Sequence, residues 1–476
     1  MFQTFKNAWK VPELRKKILF TLMIILLYRI GANLFVPYVD VAAVANQTAL
    51  SNGMFGMLSM MSGDAFGSGT FFALSVSPYI TASIVMQLLT IAIPPLERLS
   101  KDEDGKKKIA AATRWVTIAL ALITAYGYVN MLNQYGLLTV TSESKNWVFA
   151  WIVMIACYCA GASLIMWLAE KINDHGIGNG ISMILFANIL SGLTTTINKM
   201  INWFWVMEKN AVTGVDQPTV LRTGTQLIQP IVMTVISIAL TLAAIVLIVW
   251  FTNSERRIKV IYAKKVVGRK MYGGQKTNLP LKMNMAGVMP VIFASSIVSI
   301  PTTIANLFFN SEKYYGGFYG WVQNWLYCSD NDAYEVWCAA KGVVAASVGP
   351  KPIYIILFLG LLVAFSYFYI AISFNPVEVA NNIRNNGGAI IGIRPQEMAP
   401  FIKKILNRVT FMGAVFLAII AGVPLIMAAI PWISKIGFDS IAFLGTSLLI
   451  VVGVALETVR DLEAQLSMRN YKGFLD

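Results

Sequence analysis

Residues 51–94 read SNGMFGMLSMMSGDAFGSGTFFALSVSPYITASIVMQLLTIAIP and contain two apolar segments of different length. The second segment, residues 71–93, is long enough as a helix, at about 1.5 Å per residue, to span a hydrocarbon core of roughly 30 Å. The first segment is too short to cross a bilayer and is interrupted by glycines, which favour bends. We expect the second segment to be a membrane span and the first to be a short element beside it.

The first segment is rich in methionine. Its apolar side chains are Met54, Phe55, Met57, Leu58, Met60, Met61 and Phe66. A flexible segment of this kind can fold back into a cavity lined by protein, where non-helical backbone at membrane depth is tolerated. It would then act as a movable stopper. The alternative is an ordinary extramembrane loop that carries some apolar residues.

The composition is that of a polytopic membrane protein. Of the 476 residues, 57% are hydrophobic and 13% are charged, a balance that soluble domains do not show. Runs of roughly 20 apolar residues predict an all-α protein with ten transmembrane helices. These candidate spans lie near residues 18–37, 74–94, 113–132, 147–169, 181–197, 227–251, 285–307, 353–373, 410–431 and 439–456.

The placement of the basic residues predicts the orientation of the chain. The net charge of +14 could suggest a nucleic-acid partner, but the lysines and arginines concentrate in alternate loops. If the N-terminus is inside, the inside segments hold 29 of the 38 basic residues and the outside segments hold 8. The positive-inside rule therefore predicts that both termini are cytoplasmic.

The spans form two groups of five, residues 1–205 and residues 206–476, joined by a polar stretch. An odd number of spans in each half inverts the second half, as in channels and transporters with a pathway between inverted repeats. The second half has two long cytoplasmic loops, residues 252–284 and 374–409. The first loop alternates apolar and basic residues and predicts a hairpin. Both loops suit docking of an acidic partner or ribosomal RNA.

Few residues in the sequence are candidates for a metal site, a cofactor site or a disulfide. The single His175 and the scattered cysteines predict no metal site, and no cofactor is expected. Cys328 and Cys338 lie in an outside loop, residues 308–352, where a disulfide is possible. The charged stretch after the second span, residues 94–114, is interpreted as a solvated turn.

Arg29 lies near the middle of the predicted first span. A charge at that depth costs about 2.5–3.5 kcal/mol on insertion scales unless it is paired or hydrated. Two interpretations are open, a structural partner or a role in transport.

Seven motifs resemble the SecY family, whose members form the central subunit of the Sec protein-conducting channel. The motifs extend from the second predicted span to the tenth and read PYITASIVMQLL, GIGNGISMILFANI, RRIKVIYAKK, LPLKMNMAGVMPVIFASSI, FNPVEVANNI, GIRPQE and GTSLLIVVGVALE. The resemblance implies an hourglass pore that carries unfolded polypeptides. The enlarged outside loop, residues 308–352, departs from the family and has no functional account.

The resemblance also implies a role for particular residues. It places the ring that closes the waist of the pore at Ile80, Ile84, Leu185, Ile189, Ile292 and Ile450. Two pairs within this ring have i, i+4 spacing, so each pair lies on one helix face. It assigns residues 53–68 as the plug, Gln87 and Asn284 as polar residues of a lateral gate, and Lys264, Lys265, Arg269 and Arg394 as docking residues for a motor or ribosome.

The resemblance implies a channel for secretory and membrane proteins, without catalysis of its own. Its implied partners are the SecE and SecG subunits, the SecA ATPase, the ribosome, signal peptides, nascent polypeptides and membrane lipid, and its implied location is the cell membrane. The alternative is a secondary transporter of a small solute, although the spans have almost none of the charged residues that couple ions. An intramembrane hydrolase is disfavoured because no nucleophile and base recur at interpretable positions.

Overall fold

A computed structural model describes most of the chain. The described residues are 2–46, 62–140, 146–202, 205–209, 216–221, 228–262, 265–267, 270–272, 276–308, 317–326, 352–428 and 439–472. Of the predicted plug, residues 62–68 are described, whereas Met54, Phe55, Met57, Leu58, Met60 and Met61 lie outside the described residues. Cys328 and Cys338, the two cysteines of the predicted disulfide, lie outside them as well.

Helices dominate the first half of the sequence. They are α1 (Phe2–Lys10), α2 (Pro12–Gly31), α3 (Val41–Asn46), α4 (Ser77–Ala92), α5 (Pro94–Lys101), α6 (Glu103–Gln134), α7 (Trp147–His175) and α8 (Gly180–Asn202). An antiparallel pair of strands follows, β1 (Trp205–Lys209) and β2 (Asp216–Leu221).

The rest of the chain combines helices with short strands. The helices are α9 (Ile228–Thr252), α10 (Met289–Phe308), α11 (Phe318–Trp325), α12 (Pro352–Ser373), α13 (Pro376–Asn385), α14 (Met398–Ala428) and α15 (Asp439–Lys472). The strands are β3 (Glu255–Tyr262), β4 (Lys265–Val267), β5 (Lys270–Tyr272), β6 (Lys276–Lys282) and β7 (Gly388–Ile390).

The predicted helical span over residues 71–93 is too long. The helix α4 begins only at Ser77, with a proline in its first turn, where the missing N–H costs nothing. Residues 71–76 form turns, and Ser75 adopts a left-handed φ of 51° that a helix does not permit. At its other end α4 meets α5 at a bend of 109°. The span is therefore shorter and more sharply bounded than its apolar run suggests.

The interpretation of residues 94–114 as a solvated turn is also wrong. The stretch forms α5 and the start of α6, which pack against each other. Pro94 and Pro95 begin α5, and Glu97 lies in its first turn, where a carboxylate complements the helix dipole. The charges therefore lie on helices and not in an irregular loop.

Five helices in the described part of the chain are long and apolar enough to cross a membrane, and the bent pair α4–α5 would make six. The five are α6, α7, α9, α12 with α13, and α14. The helices α2, α8, α10 and α15 lie at the other predicted spans but do not meet the same length and apolarity criteria. The number ten, which the apolar runs of the sequence predict, is therefore supported by the family resemblance and not by these criteria.

Most helices share one large buried core. It includes side chains from α2, α4, α7, α8, α10, α12, α14 and α15. The helix α10 packs against α4 and α6, and α15 packs against α1 and α8, so elements of residues 206–476 contact elements of residues 1–205. The division into two inverted halves stays a prediction.

The two cytoplasmic loops predicted in the second half form one sheet. The predicted hairpin of the first loop is confirmed, because β3 pairs antiparallel with β6 from Glu255↔Lys282 to Ile261↔Lys276. The short strand β7, from the second loop, pairs with the other edge of β3. Ile258 and Val260 point into a small core with α13 and α14, while the intervening Arg257 and Lys259 are exposed.

Candidate functional site: a closed apolar waist

The six residues of the predicted ring lie together in the large core. Ile80 and Ile84 come from α4, Leu185 and Ile189 from α8, Ile292 from α10 and Ile450 from α15. All six are buried, with exposed fractions between 1% and 7%, and all belong to the same cluster. Four helices therefore contribute the branched apolar side chains of the predicted ring to one buried core, and we call these six side chains the waist.

A glycine permits two of these helices to come close. A Cβ atom built on Gly453 of α15 would lie 2.2 Å from Cγ2 of Val288, just before α10. A real side chain could not occupy that space, so a larger residue would push α15 away from α10. Gly453 is three residues after Ile450 and Val288 is four residues before Ile292, which places this close approach about one helical turn from the ring.

Residues 62–76 lie beside the waist and are tied to the bundle by side chains from neighbouring helices. Tyr128 of α6 donates a hydrogen bond to the carbonyl of Phe66, and Tyr158 of α7 donates one to the carbonyl of Gly69 at 3.2 Å. The ring of Phe66 packs on that of Tyr128 with centroids 4.8 Å apart. We call residues 66–72 the collar. The two tyrosines are not among the predicted site residues, although a buried tyrosine within an apolar span usually needs an acceptor for its hydroxyl.

A small cavity of about 60 Å³ separates the collar from the waist. Ile80 and Leu185 of the ring line one part of it, and Phe66 lines another. Ala73, Leu74 and Pro78 also line it, and the remaining lining residues carry hydroxyl groups: Ser75, Ser77, Thr124, Tyr128, Ser296, Ser299 and Thr303. Most of the wall surface is apolar, so the waist borders on a small and mainly apolar space.

A cleft of about 1,040 Å³ opens between α4–α6 on one side and the end of α12 on the other. Gln87 lines it, and the Gln87 side chain donates to Oγ of Ser83 at 3.3 Å. An ion pair lies where α6 meets α7, because Nε of Arg114 is 2.8 Å from Oε1 of Glu170. The walls combine apolar and polar side chains.

Asn284, the other predicted gate residue, lines a different cavity of about 500 Å³. Gln87 and Asn284 therefore line separate cavities. This second cavity contains Lys282, Glu457, Arg460 and Asp461. Arg460 donates to the carbonyl of Thr252 at 2.6 Å, and Asp461 accepts from the backbone N–H of Gly178 at 3.2 Å.

The pKa values of two of these charged groups are shifted in the direction that favours the neutral form. Desolvation raises the pKa of the Glu457 carboxyl, and the neighbouring Asp461 raises it further. Desolvation lowers the pKa of the Lys282 ammonium, and Arg460 adds to this shift. Both side chains keep contact with solvent. With two acidic and two basic side chains, the cavity has no net charge that would favour one sign of cargo.

The predicted docking residues, as far as they are described, lie on the two loops that are predicted to be cytoplasmic. Arg394 is exposed and follows β7 by four residues. Lys265 begins β4, which pairs with β5. Lys264 and Arg269 lie outside the described residues. No group of three or more histidine, cysteine or acidic residues that could hold a metal occurs in the described ranges.

The fold and the site define a class, that of multi-pass membrane proteins in which several helices close a pathway with an apolar waist. A sequence model of the SecY family matches residues 70–459. The protein translocase subunit SecY of Streptomyces galbus is 38% identical over 491 residues, covering 100% of both chains. The chain belongs to the SecY family.

Solved structures agree with this fold. The structure of a protein-conducting channel matches with a TM-score of 0.60 at 17% identity, covering 96% of each chain. Sec61 in a canine ribosome–channel complex from the endoplasmic reticulum matches with a TM-score of 0.57 at 16% identity, also covering 96% of each chain. The family is one of channels, and neither a solute transporter nor a hydrolase is indicated.

Proposed function

We propose that the chain forms the pore through which unfolded secretory polypeptides cross the cell membrane, and from which apolar segments pass sideways into the lipid. The observation that carries this proposal is the convergence of Ile80, Ile84, Leu185, Ile189, Ile292 and Ile450 in one buried core. An apolar constriction excludes ions by dewetting, yet it offers no fixed polar group that would select one passing side chain over another. That combination suits a polypeptide of any sequence as cargo.

We assign the lateral gate to the seam where α10 packs against α4 and α6, together with the cleft beside it. An opening there would connect the waist with the lipid. Gln87, on the wall of the cleft, is in position to contact a signal peptide before it enters the lipid. Asn284 lines the second cavity, together with Glu457, and stays a proposed polar residue of the gate.

We assign residues 53–68 as the plug. Its described end, residues 62–68, lies against the waist, where Phe66 borders the same cavity as Ile80 and Leu185. A segment in this place would close the pathway on one side of the ring. The collar would anchor it to the bundle through Tyr128 and Tyr158.

The proposed partners are the SecE and SecG subunits within the membrane, and the SecA ATPase or a translating ribosome in the cytoplasm. The sheet of β3, β6 and β7 joins both cytoplasmic loops into one unit, on which exposed basic side chains meet solvent. Such a unit suits an acidic protein surface or ribosomal RNA. Docking on this face requires both termini and both loops to be cytoplasmic, as the distribution of basic residues predicts.

Charge reversal at Arg394 tests the function and the docking assignment together. In liposomes that contain this chain with SecE and SecG, SecA and ATP are expected to move an unfolded precursor into the lumen. Arg394→Glu should weaken docking by about 1–2 kcal/mol, or roughly 5- to 30-fold in affinity, because it replaces complementary charge by repulsion. The measurement is the amount of protease-protected precursor as a function of SecA concentration.

Lys107→Glu is the matched control, because Lys107 is exposed and lies in the other basic cytoplasmic segment. It should leave translocation unchanged. Undiminished translocation by Arg394→Glu at physiological salt would contradict the docking assignment. No translocation by the unmodified channel would contradict the proposed function.

A further inference from the structure

Arg29 does not lie in the middle of a span, as its position within residues 18–37 suggests. The helix α2 ends at Gly31, so Arg29 is in the last turn, where a cation complements the helix dipole. Its Nη1 donates to the carbonyl oxygen of Gly63 at 3.2 Å, and its Nη2 donates to Oγ of Ser191 on α8. Hydrogen bonds from a charged donor are among the stronger ones in proteins. A structural partner therefore accounts for this charge.

The backbone at Gly63 is shaped for this contact. Gly63 has a φ of 65°, in the left-handed region where glycine is favoured. A Cβ atom at this position would lie 2.8 Å from Nη1 of Arg29 and 3.2 Å from Cα of Asn188 on α8. Only a residue without a side chain fits between α2 and α8 here. The Gly63 carbonyl consequently reaches the guanidinium without displacing either helix.

The contact lies just before the collar in the chain. From Phe66 onward, the collar is tied to α6 and α7 by Tyr128 and Tyr158, and Phe71 donates its N–H to the carbonyl of Leu34 at 2.7 Å. Gly63 comes three residues before the collar and directly after the methionine-rich part of the plug. The Arg29 contact is therefore placed where movement of the plug would begin.

We propose that Arg29 is a positioning residue for the plug. Braced on Ser191, its guanidinium holds the Gly63 carbonyl in the closed position, and opening requires that carbonyl to leave it. The collar keeps its contacts during this movement and serves as the fixed end. This inference rests on the proposed function, because it presupposes that residues 53–68 seal the pore.

The test compares the resting ion conductance of purified channels in planar bilayers. Arg29→Met removes the donor and the charge at similar length and should raise conductance about tenfold, the effect expected from loss of one charge-assisted hydrogen bond. Gly63→Ala should raise it as well, because its Cβ displaces the guanidinium. Gly136→Ala is the matched control, since Gly136 has a similar φ of 66° but nothing within 4 Å of a Cβ atom. It should keep the seal.

A channel without residues 54–61 distinguishes a plug contact from a general structural role. In that background Arg29→Met should add nothing, because the deleted methionine-rich part of the plug is the part whose position the Gly63 contact fixes. The inference would be overturned if the Arg29→Met channel stayed sealed while the deletion channel leaked. It would also be overturned if Arg29→Met raised the conductance of the deletion channel further. A leak in Gly136→Ala equal to that in Gly63→Ala would contradict it as well. If the deletion itself does not leak, the plug assignment in the proposed function fails. If the Arg29→Met channel does not accumulate in the membrane, the same comparisons of conductance are made with Gly63→Ala, alone and combined with the deletion.

Discussion

Replacing Ile450 by Asn is expected to let the channel export precursors whose signal sequences are defective. Ile450 is 6% exposed and shares its buried cluster with the five other ring residues. An amide without a partner in this dry core should cost about 1–3 kcal/mol in the closed state, whereas in the open state water can solvate it. The closed-to-open equilibrium should therefore shift about 5- to 150-fold toward the open state.

Signal-peptide binding normally supplies the free energy that opens the channel, so less of it is needed in Ile450→Asn. The measurement is export of a reporter with a defective signal sequence, alongside the amount of channel in the membrane. Ile165→Asn is the matched control, because Ile165 is fully buried in the same cluster but belongs to α7, which contributes no ring residue. Ile165→Asn should lower channel abundance without relaxing selectivity. If Ile450→Asn behaves in the same way, Ile450 is a packing residue and not part of the ring.

Deleting residues 54–61 is expected to make the resting channel leak ions while its helices stay assembled. The deletion ends before Ser62, so it spares Gly63 and the collar, whose contacts with Tyr128 and Tyr158 are part of the bundle. The ring alone then has to exclude ions. We expect the ion conductance to rise by about tenfold or more, because no plug blocks the pathway when water briefly enters the waist. Single-channel recording of the resting channel measures this.

An eight-residue deletion of residues 329–336, in the outside loop, is the control for the plug deletion. An ordinary extramembrane loop should tolerate such a loss without a leak, so this variant should remain sealed. Equal conductance of the two deletion variants would favour the alternative interpretation of residues 51–66 as a simple loop.

The sequence predicts the position of the helices well and their ends less well. Apolar length places a span near residues 74–94, but it does not reveal that the helix begins at Ser77. That boundary depends on tertiary hydrogen bonds, such as the bond from the Phe71 N–H to the Leu34 carbonyl. The end of α2 at Gly31 is hidden for the same reason, so apolar length places Arg29 near the middle of a helix and not in its last turn. Charge density likewise suggested a loop where Pro94 and Pro95 begin a helix.

The waist is a different case, because no local pattern distinguishes its residues from other buried isoleucines. Periodicity shows only that Ile80 and Ile84 share a face of α4. Their proximity to Ile292 and Ile450 arises from packing between helices that are hundreds of residues apart, helped by the close approach at Gly453. Motif resemblance selected these positions. The contact between Arg29 and Gly63 has no sequence signal other than a charge and a glycine.

The central claim is that a polypeptide passes through the ring formed by these six residues. It is tested most directly by disulfide cross-linking of an arrested translocation intermediate that carries one cysteine in its membrane-crossing segment. The channel carries either Ile84→Cys, or Ile152→Cys on the exposed face of α7, in a background whose four native cysteines are replaced by serine. We predict a cross-link to Ile84→Cys and none to Ile152→Cys. An arrested chain that fails to cross-link at Ile84→Cys, or that cross-links equally at both positions, would contradict a pathway through the waist.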